Sequence, residues 1–296
     1  MTGRWGALAR ELRTPLAFVD ALMRRFSWHH MPTLAAGLAF YFLLAFFPFL
    51  LFLVAVVTIV PGVEGLTAWL LQTAATFLPP DAWRLAEGVI TSLLGQPRGA
   101  IVSIGVALAL WSASSGFTSL MECLNVAFGV TERRAWWKTR LEALWLTIAL
   151  SLFVIVSFVL TLVAGPLAVW AAAYLGPVGA FATLAVNWSL SLGLMTLVTA
   201  TVYYVCPDVD DQRWQWLSPG VVLFMTGFGL ASVGFSMWVT RFATYDKTYG
   251  SLAAPIVLLF WLYLLATCLL LGGEINALLD ERRATRDDET SATQVP

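Results

Sequence analysis

The sequence predicts an all-α integral membrane protein with six transmembrane helices, amphipathic interfacial helices and both termini in the cytoplasm. Of its 296 residues, 59% are hydrophobic and only 12% are charged, whereas about a quarter of a soluble domain is charged. The apolar residues come in blocks of about 20, the length of helix that crosses the ~30 Å hydrocarbon core of a bilayer. Lysine and arginine are also distributed unequally between the two sides that six spans would create.

The chain divides into three regions. An amphipathic helix occupies residues 1–33, the membrane domain residues 34–280, and a polar tail, predicted to be disordered, residues 281–296. The predicted spans are residues 34–60, 100–119, 143–164, 180–204, 218–240 and 252–274. Gly165-Pro166 is predicted to end the third span. Residues 63–96 are predicted to form two amphipathic helices on the outer surface.

The N-terminal region carries apolar side chains at three- and four-residue steps, with arginines between them. The apolar positions are Leu8, Leu12, Leu16, Val19, Met23 and Phe26, and the arginines are Arg10, Arg13, Arg24 and Arg25. Such a helix can lie in the membrane surface with its arginines among the lipid headgroups. The alternative is that it packs against the protein's own cytoplasmic parts, and the sequence leaves both open.

The basic residues predict the orientation of the chain. Thirteen of the 17 lysines and arginines fall in the N-terminus, the loops after the second and fourth spans, and the tail. The other four are Arg84, Arg98, Arg241 and Lys247. Because loops that stay in the cytoplasm carry the excess of Lys and Arg, both termini are predicted to lie in the cytoplasm.

The second span carries polar side chains on one side. Ser112, Ser115, Ser119 and Glu122 are spaced by three, four and three residues and therefore share one helix face, with Asn125 on an adjoining face. Lipid cannot satisfy these groups, so this side is expected to face protein or a water-filled cavity. The functional interpretation is the lining of a substrate path. The alternative is ordinary helix packing through serine and threonine.

The sixth span ends in Gly272-Gly273-Glu274-Ile275-Asn276. Glu274 lies about 36 Å along the helix from Gly250, at the cytoplasmic edge of the hydrocarbon core. It is either an ordinary interfacial acid or an acid that faces the bundle and exchanges protons or pairs with a buried cation. Glu274 and Asn276 are the candidate residues of the substrate path at this end, and the two glycines would let a neighbouring helix approach closely.

A basic cytoplasmic rim is predicted after the second span. It consists of Arg133, Arg134, Lys138 and Arg140. These residues could attract anionic headgroups, or they could serve only as the topology signal.

Several classes of protein have no support in the sequence. No spaced set of carboxylates and histidines could hold a nuclease metal, no HExxH motif is present, and no span supplies a histidine base for Ser114 or Ser115. The cysteines, Cys123, Cys206 and Cys268, are isolated. We therefore expect no enzyme activity, no cofactor and no metal site. The net charge of −1 argues against a nucleic-acid binder.

The motifs laid out along the chain resemble the YihY / virulence-factor-BrkB family of bacterial inner-membrane proteins. The resemblance rests on residues 34–41, 47–48, 110–116, 124–125, 132–134, 137–138, 204 with 207, 248–252, 261–263 and 273–276. It implies six spans with cytoplasmic termini, in agreement with the distribution of charge. Members of that family carry an old ribonuclease label or have been linked to serum resistance, to movement of lipids or lipopolysaccharide precursors, or to cation/proton exchange.

Three functional hypotheses follow. The leading one is a transporter-like protein that moves or accommodates a lipid or other amphiphile, with membrane lipids as its partners. The second is a cation/proton antiporter that uses Glu122 or Glu274. The third is a non-transporting scaffold in envelope assembly, which could act as a homo-oligomer or with other envelope proteins.

Overall fold

The computed structural model describes residues 15–59, 100–210, 214–241 and 253–292, and all its regular structure in these ranges is α-helical. The helices are α1 (Pro15–Trp28), α2 (Met31–Ile59), α3 (Ala100–Ala113), α4 (Ser115–Ala127), α5 (Trp136–Val205), α6 (Pro219–Arg241) and α7 (Ala253–Ala292). The predicted all-α class is confirmed. The first 14 residues and the outer helices predicted over 63–96 lie outside the described residues.

Four helical segments of the described chain are long and apolar enough to cross a membrane. They are Trp136–Ser157, Val163–Val205, Pro219–Trp238 and Pro255–Arg283. A fifth span results if the bent pair Ala17–Trp28 and Met31–Phe46 counts as one. A multi-pass membrane protein is therefore supported, while the number of six spans and the cytoplasmic termini remain predictions.

Helices α1 and α2 meet at an angle of 60°. His29 N–H donates to the Arg25 carbonyl and closes the last turn of α1, and His30 adopts a left-handed conformation with φ 51°. The His30 carbonyl then accepts hydrogen bonds from the amides of Thr33 and Leu34, which begin α2. This left-handed residue between the two helices produces the bend.

The predicted second span is interrupted at Ser114, which separates α3, of 14 residues, from α4, of 13. In a continuous helix the Trp111 carbonyl would accept the amide four residues later. Here the Ser114 hydroxyl donates to that carbonyl at 2.7 Å, and Arg140 donates to it as well. The side chains therefore compete with the backbone for this acceptor.

Helix α5 consists of two arms, residues 136–175 and 177–205, joined at Gly176. The predicted end of the third span at Gly165-Pro166 is wrong, because the helix continues through both residues. Membrane helices tolerate proline where neighbouring groups satisfy the freed backbone. The break falls at Gly176, whose φ of 68° suits glycine, and Pro177 begins the second arm. A Cβ built on Gly179 would lie 2.6 Å from the Ala171 carbonyl oxygen, so the arms are in close contact near the break.

Helix α7 packs against both α6 and α1. The apolar part of its contact with α1 joins Leu22 to Ile275 and Leu278, all of them buried. The helix continues to Ala292, so the disorder predicted for residues 281–296 is wrong as far as 292. Packing of Leu278 beyond the apolar block and the Arg283–Asp280 ion pair (3.4 Å) support this extension.

The chain forms two compact units. The first contains Met1–Leu43, Thr118–Ala135 and Tyr203–Pro296. The second contains Leu44–Phe117 and Trp136–Val202.

Candidate functional site

Helix α1 presents a mixed apolar and charged face to the rest of the first unit. Ala21, Leu22 and Phe26 are buried together with Arg25, which is 1% exposed. Val19 and Met23, which the sequence pattern assigned to the apolar stripe, are about half exposed. The amphipathic helix is therefore present, but its buried face is rotated relative to the predicted stripe, and it packs against α7 of the protein itself.

Arg25 is the centre of a buried charged cluster, which we define as Arg25, His29, Glu274 and Glu281. Its Nε donates to Glu274 Oε2 at 2.7 Å, and its Nη1 donates to Glu281 Oε2 at 2.8 Å. Nη2 donates to the carbonyl of Ala127 at the end of α4 (2.9 Å). One guanidinium thus joins α1, α4 and α7, using the planar fork of donors that distinguishes arginine from lysine.

Glu274 is fully buried and has a second partner in the turn that follows α1. His29 Nδ1 lies 2.5 Å from Glu274 Oε1, and the imidazole is only 13% exposed. Each carboxylate oxygen therefore has its own nitrogen partner. A buried carboxylate is tolerated when it is paired and hydrogen-bonded in this way. The sequence left two interpretations of Glu274 open, an interfacial acid or an acid that faces the bundle. In the structure the acid pairs with a buried cation, Arg25, within the first unit.

Glycines next to Glu274 bring neighbouring elements into backbone contact with α7. A Cβ built on Gly272 would overlap the Tyr203 hydroxyl and lie 2.6 Å from the Gly220 carbonyl oxygen of α6. A Cβ on Gly273 would lie 2.6 Å from Leu124 Cδ2 of α4. The close approach that the sequence predicts at this pair is therefore present, and α4 contacts α7 one residue before the buried acid.

Asn276 is buried on α7 and stabilises the start of α6. Its Oδ1 accepts a hydrogen bond from Gly220 N–H at 2.9 Å. Just before α6, Ser218 Oγ accepts from Val221 N–H at 3.3 Å, and Pro219 is the first helical residue. The side chain predicted to belong to a substrate path thus satisfies a backbone donor that has no partner within its own helix.

Asn125 has a comparable role at the end of α4. Its Nδ2 donates to Glu132 Oε2 at 2.8 Å, and its Oδ1 accepts from Asp208 N–H at 2.8 Å. The side chain is 4% exposed. It ties the loop after α4 to the loop after α5, both within the first unit.

The remaining residues of the predicted path do not form one continuous face. Ser112 is exposed, and Ser115 is half-buried and accepts a hydrogen bond from Arg140 Nη1 at 3.4 Å. On α4, Ser119 is buried whereas Glu122 is exposed. The interruption at Ser114 separates the first of these residues from the others. The α4 part of the predicted path comes close to its Glu274 end where Leu124 contacts α7 at Gly273.

The arginines of the predicted basic rim in the first unit are paired with acids. Arg133 bonds Asp208 Oδ2 through its backbone amide (2.7 Å) and Asp210 through Nη1 (2.8 Å). The hydrogen bond to Asp210 raises the pKa of Arg133, and the same bond lowers the pKa of Asp210. Arg134 donates to both oxygens of Glu132 at 2.8 Å and to the carbonyls of Val205 and Cys206.

The other two residues of the rim belong to the second unit and contact tryptophans. The Lys138 Nζ lies 5.6 Å from the ring centroid of Trp137, and the Arg140 guanidinium lies 4.0 Å from that of Trp111. Both are cation–π distances. Lys138 is exposed and remains the residue of the rim best placed to meet an external anion.

Acidification is expected to weaken the Glu132 contact. The Arg134 hydrogen bond holds the pKa of Glu132 below its ordinary value, with a further contribution from Asn125. A carboxyl group with a lowered pKa contributes stability above its ordinary pKa and loses that contribution as the pH falls through the folded-state value. The partly exposed pair contributes below about 1 kcal/mol. Unfolding midpoints of the wild type and Glu132→Gln, compared between neutral and acidic pH, should therefore converge as the pH falls. A constant difference would contradict this.

Sequence reasoning missed Arg25, His29 and Glu281 as members of the charged cluster. A signal was present for Arg25 and His29, because Leu22, Arg25, Phe26 and His29 follow the three- and four-residue spacing of one helix face. Arg24 lies off that face, and it forms an exposed pair with Asp20 at 2.9 Å. In the part of the chain that the structure describes, no group of three His, Cys, Asp or Glu could hold a metal ion.

Comparison with known proteins gives a consistent family. No solved structure matches the chain. It is 32% identical over 275 residues to the putative ribonuclease-like protein YfkH of Bacillus subtilis, covering 92% of this chain and 98% of that protein. It is 25% identical to the UPF0761 membrane protein PBPRA3489 of Photobacterium profundum, covering 92% and 83%. It is 27% identical to a UPF0761 membrane protein of Tolumonas auensis, covering 89% and 88%. The family model described as virulence factor BrkB matches residues 22–295, and the chain therefore belongs to that family.

Proposed function

We propose that this protein moves or accommodates a lipid or another amphiphile in the bacterial inner membrane. The observation that carries the proposal is the buried charged cluster of Arg25, His29, Glu274 and Glu281. Glu274 is fully buried on a helix long and apolar enough to cross a membrane. Ionisable residues inside membrane segments are costly and mark substrate or proton pathways.

Stability alone is a weak reason for such a cluster. The contact of α1 with α7 already contains Leu22, Ile275 and Leu278. A buried ion pair often contributes no more than apolar side chains of similar volume would. A charged cluster retained beside an apolar contact therefore favours a role in function over a scaffold held together by packing.

The polarity along α7 favours an amphiphile as the substrate. Residues 254–271 of the helix are almost entirely apolar, and the charged cluster begins three residues later. A lipid has the same sequence of an apolar chain and a polar head. We propose that the head approaches the cluster while the chains remain beside apolar helix faces.

The proposed topology has six spans and both termini in the cytoplasm. The unequal distribution of lysine and arginine supports it. The proposed partners are membrane lipids and not nucleic acid, with a homo-oligomer or other envelope proteins as further partners. The Bacillus relative is named ribonuclease-like, but we propose no enzyme activity for this chain.

The proposal predicts that the purified protein in liposomes speeds the movement of a fluorescent phosphatidylglycerol between leaflets. Glu274→Gln, which removes the central charge, is expected to change the rate about tenfold. Asp20→Asn is the matched control, because it removes an exposed acid that pairs with Arg24 on α1. Dithionite quenching of the outer-leaflet dye measures the rate. No acceleration with any anionic lipid would remove the proposal.

Cation/proton exchange is a second candidate, favoured by the contact between His29 and Glu274. A histidine beside an acid can pass a proton to it or take one from it, and here His29 Nδ1 contacts the buried carboxylate. A pH-sensitive dye inside vesicles, with and without an inward sodium gradient, tests this candidate. Sodium-dependent proton flux that His29→Gln abolishes would favour exchange over lipid movement.

A further inference from the structure

A groove lies between the two arms of α5, entirely within the second unit. Its volume is about 330 Å³. The lining residues are Leu160, Val163, Ala164, Leu167, Ala182, Thr183, Val186, Asn187 and Leu190. Small-molecule sites typically occupy about 300–1,000 Å³ and combine apolar walls with a few placed polar groups. The groove has both properties.

Asn187 is the polar group that lacks a partner in this groove. Its Oδ1 is buried and accepts no hydrogen bond. The other polar lining residue, Thr183, donates its hydroxyl to the Gly179 carbonyl at 2.9 Å and is satisfied within its own helix. A buried polar atom without a partner is costly, and more so in an apolar surrounding where water is scarce. We therefore expect a hydrogen-bond donor to enter the groove and pair with Asn187 Oδ1.

The position of the groove limits what that donor can be. Asn187 lies ten residues into the second arm, about 15 Å along the helix from Pro177. It is therefore near the middle of an apolar stretch that could cross a membrane. The lining contains no charged residue, so a charged group that entered the groove would find no opposite charge to pair with. The lining on the first arm, from Leu160 to Leu167, extends about 10 Å, which accommodates part of one acyl chain.

We propose that this groove binds one acyl chain of an amphiphile whose uncharged hydroxyl group donates a hydrogen bond to Asn187 Oδ1. The site gives the lipid a polar contact in the middle of the membrane. This inference rests on the proposed movement of amphiphiles and names the chemistry of one site on the path.

The test uses a monoacylglycerol with a photoreactive diazirine on its acyl chain, added to the full-length protein in detergent. Light-induced labels are expected between residues 160 and 190. Ala182→Phe places a ring in the groove and is expected to reduce this labelling about tenfold. Ala185→Phe is the matched control on the same helix outside the lining, and it should leave the labelling unchanged. Equal labelling in both variants would overturn the proposal.

Asn187→Leu tests the hydrogen bond separately, because leucine has a similar volume and no acceptor. Competition by unlabelled monoacylglycerol is expected to weaken about fivefold, the size of one hydrogen bond, while competition by an alkane of equal length is unchanged. An unchanged preference for the hydroxyl compound would overturn the role of Asn187. If the groove is labelled but the protein moves no lipid in liposomes, the binding site stands and the proposed function is wrong. If the protein moves lipid and Ala182→Phe does not slow it, the function stands and the groove is not on the path.

Discussion

Arg25→Met is expected to lower the free energy of unfolding by about 3–5 kcal/mol, the usual cost of removing one partner of a buried ion pair. Glu274 would remain fully buried with His29 as its remaining cluster partner. The Ala127 carbonyl at the end of α4 would lose the Nη2 donor, and Glu281 would lose Nη1. Thermal or denaturant unfolding in detergent, followed by far-UV circular dichroism, measures the loss.

Glu274→Gln is expected to cost less than Arg25→Met, about 1–3 kcal/mol. The amide keeps the volume of the carboxylate, and Arg25 retains its bonds to Glu281 and Ala127. In the double variant Arg25→Met/Glu274→Leu the unpaired charge disappears, and most of the lost stability should return. If the loss in the double variant equals the sum of the losses of Arg25→Met and Glu274→Leu, each measured alone, the cluster is not energetically coupled.

Arg24→Ala is the matched control on the same helix. Arg24 pairs with Asp20 at 2.9 Å, but both side chains are more than half exposed. Such surface pairs contribute about 0.2–1 kcal/mol. A loss at Arg24 as large as that at Arg25 would show that the buried position of Arg25 is not what determines the effect.

The helical class could be predicted from the sequence because it depends on local properties. An apolar block of the right length must satisfy its backbone groups internally in lipid, and a helix does so. The places where helices break depend on contacts that sequence spacing does not reveal. The helix is interrupted at Ser114, between α3 and α4, where the Ser114 hydroxyl and Arg140 both donate to the Trp111 carbonyl. Arg140 lies 29 residues after Trp111, so helical spacing does not reveal this contact. In α5 the sequence predicted a helix end at Gly165-Pro166, yet the residue with a left-handed conformation, where the helix breaks, is Gly176.

The acid of the candidate site could be predicted, but its partners could not. Glu274 was identifiable as the acid that ends an apolar span, whereas Arg25 is 249 residues away along the chain. Helical spacing places Arg25 on the same face as Leu22 and Phe26, although nothing in that pattern specifies which helix it meets. The same limit applies to Asn276, since its bond to Gly220 depends on how α6 packs against α7.

Two arginines of the predicted basic rim are paired with acids in the structure, which lowers the net positive charge that they present. In sequence, Arg133 and Arg134 look available to anionic headgroups. In the structure, Arg133 contacts Asp208 and Asp210, and Arg134 contacts Glu132. Asp208 and Asp210 lie 75 and 77 residues from Arg133, so only the fold brings them to it, whereas Glu132 is two residues from Arg134. These pairs fix the loops of the first unit and leave little net positive charge there.

Gly272→Ala is expected to lower the free energy of unfolding by about 1–3 kcal/mol through overpacking, although alanine normally favours a helix over glycine by about 1 kcal/mol. The new methyl group would lie 2.6 Å from the Gly220 carbonyl oxygen and would overlap the Tyr203 hydroxyl. The carbonyl belongs to the backbone of α6 and cannot rotate away, so the helices must separate. Tyr203 would also lose its bond to the Leu269 carbonyl, now 2.7 Å.

Gly229→Ala is the matched control, because a Cβ built there meets nothing within 4 Å. It should be neutral or stabilise the protein by up to about 1 kcal/mol through helix propensity. Adding Tyr203→Phe to Gly272→Ala should restore only part of the loss, since the contact with the Gly220 carbonyl remains. Full recovery would assign the whole effect to the tyrosine. Gly272 lies two residues before Glu274, so separation of α6 from α7 should also alter lipid movement in the same variant if the charged cluster acts in transport.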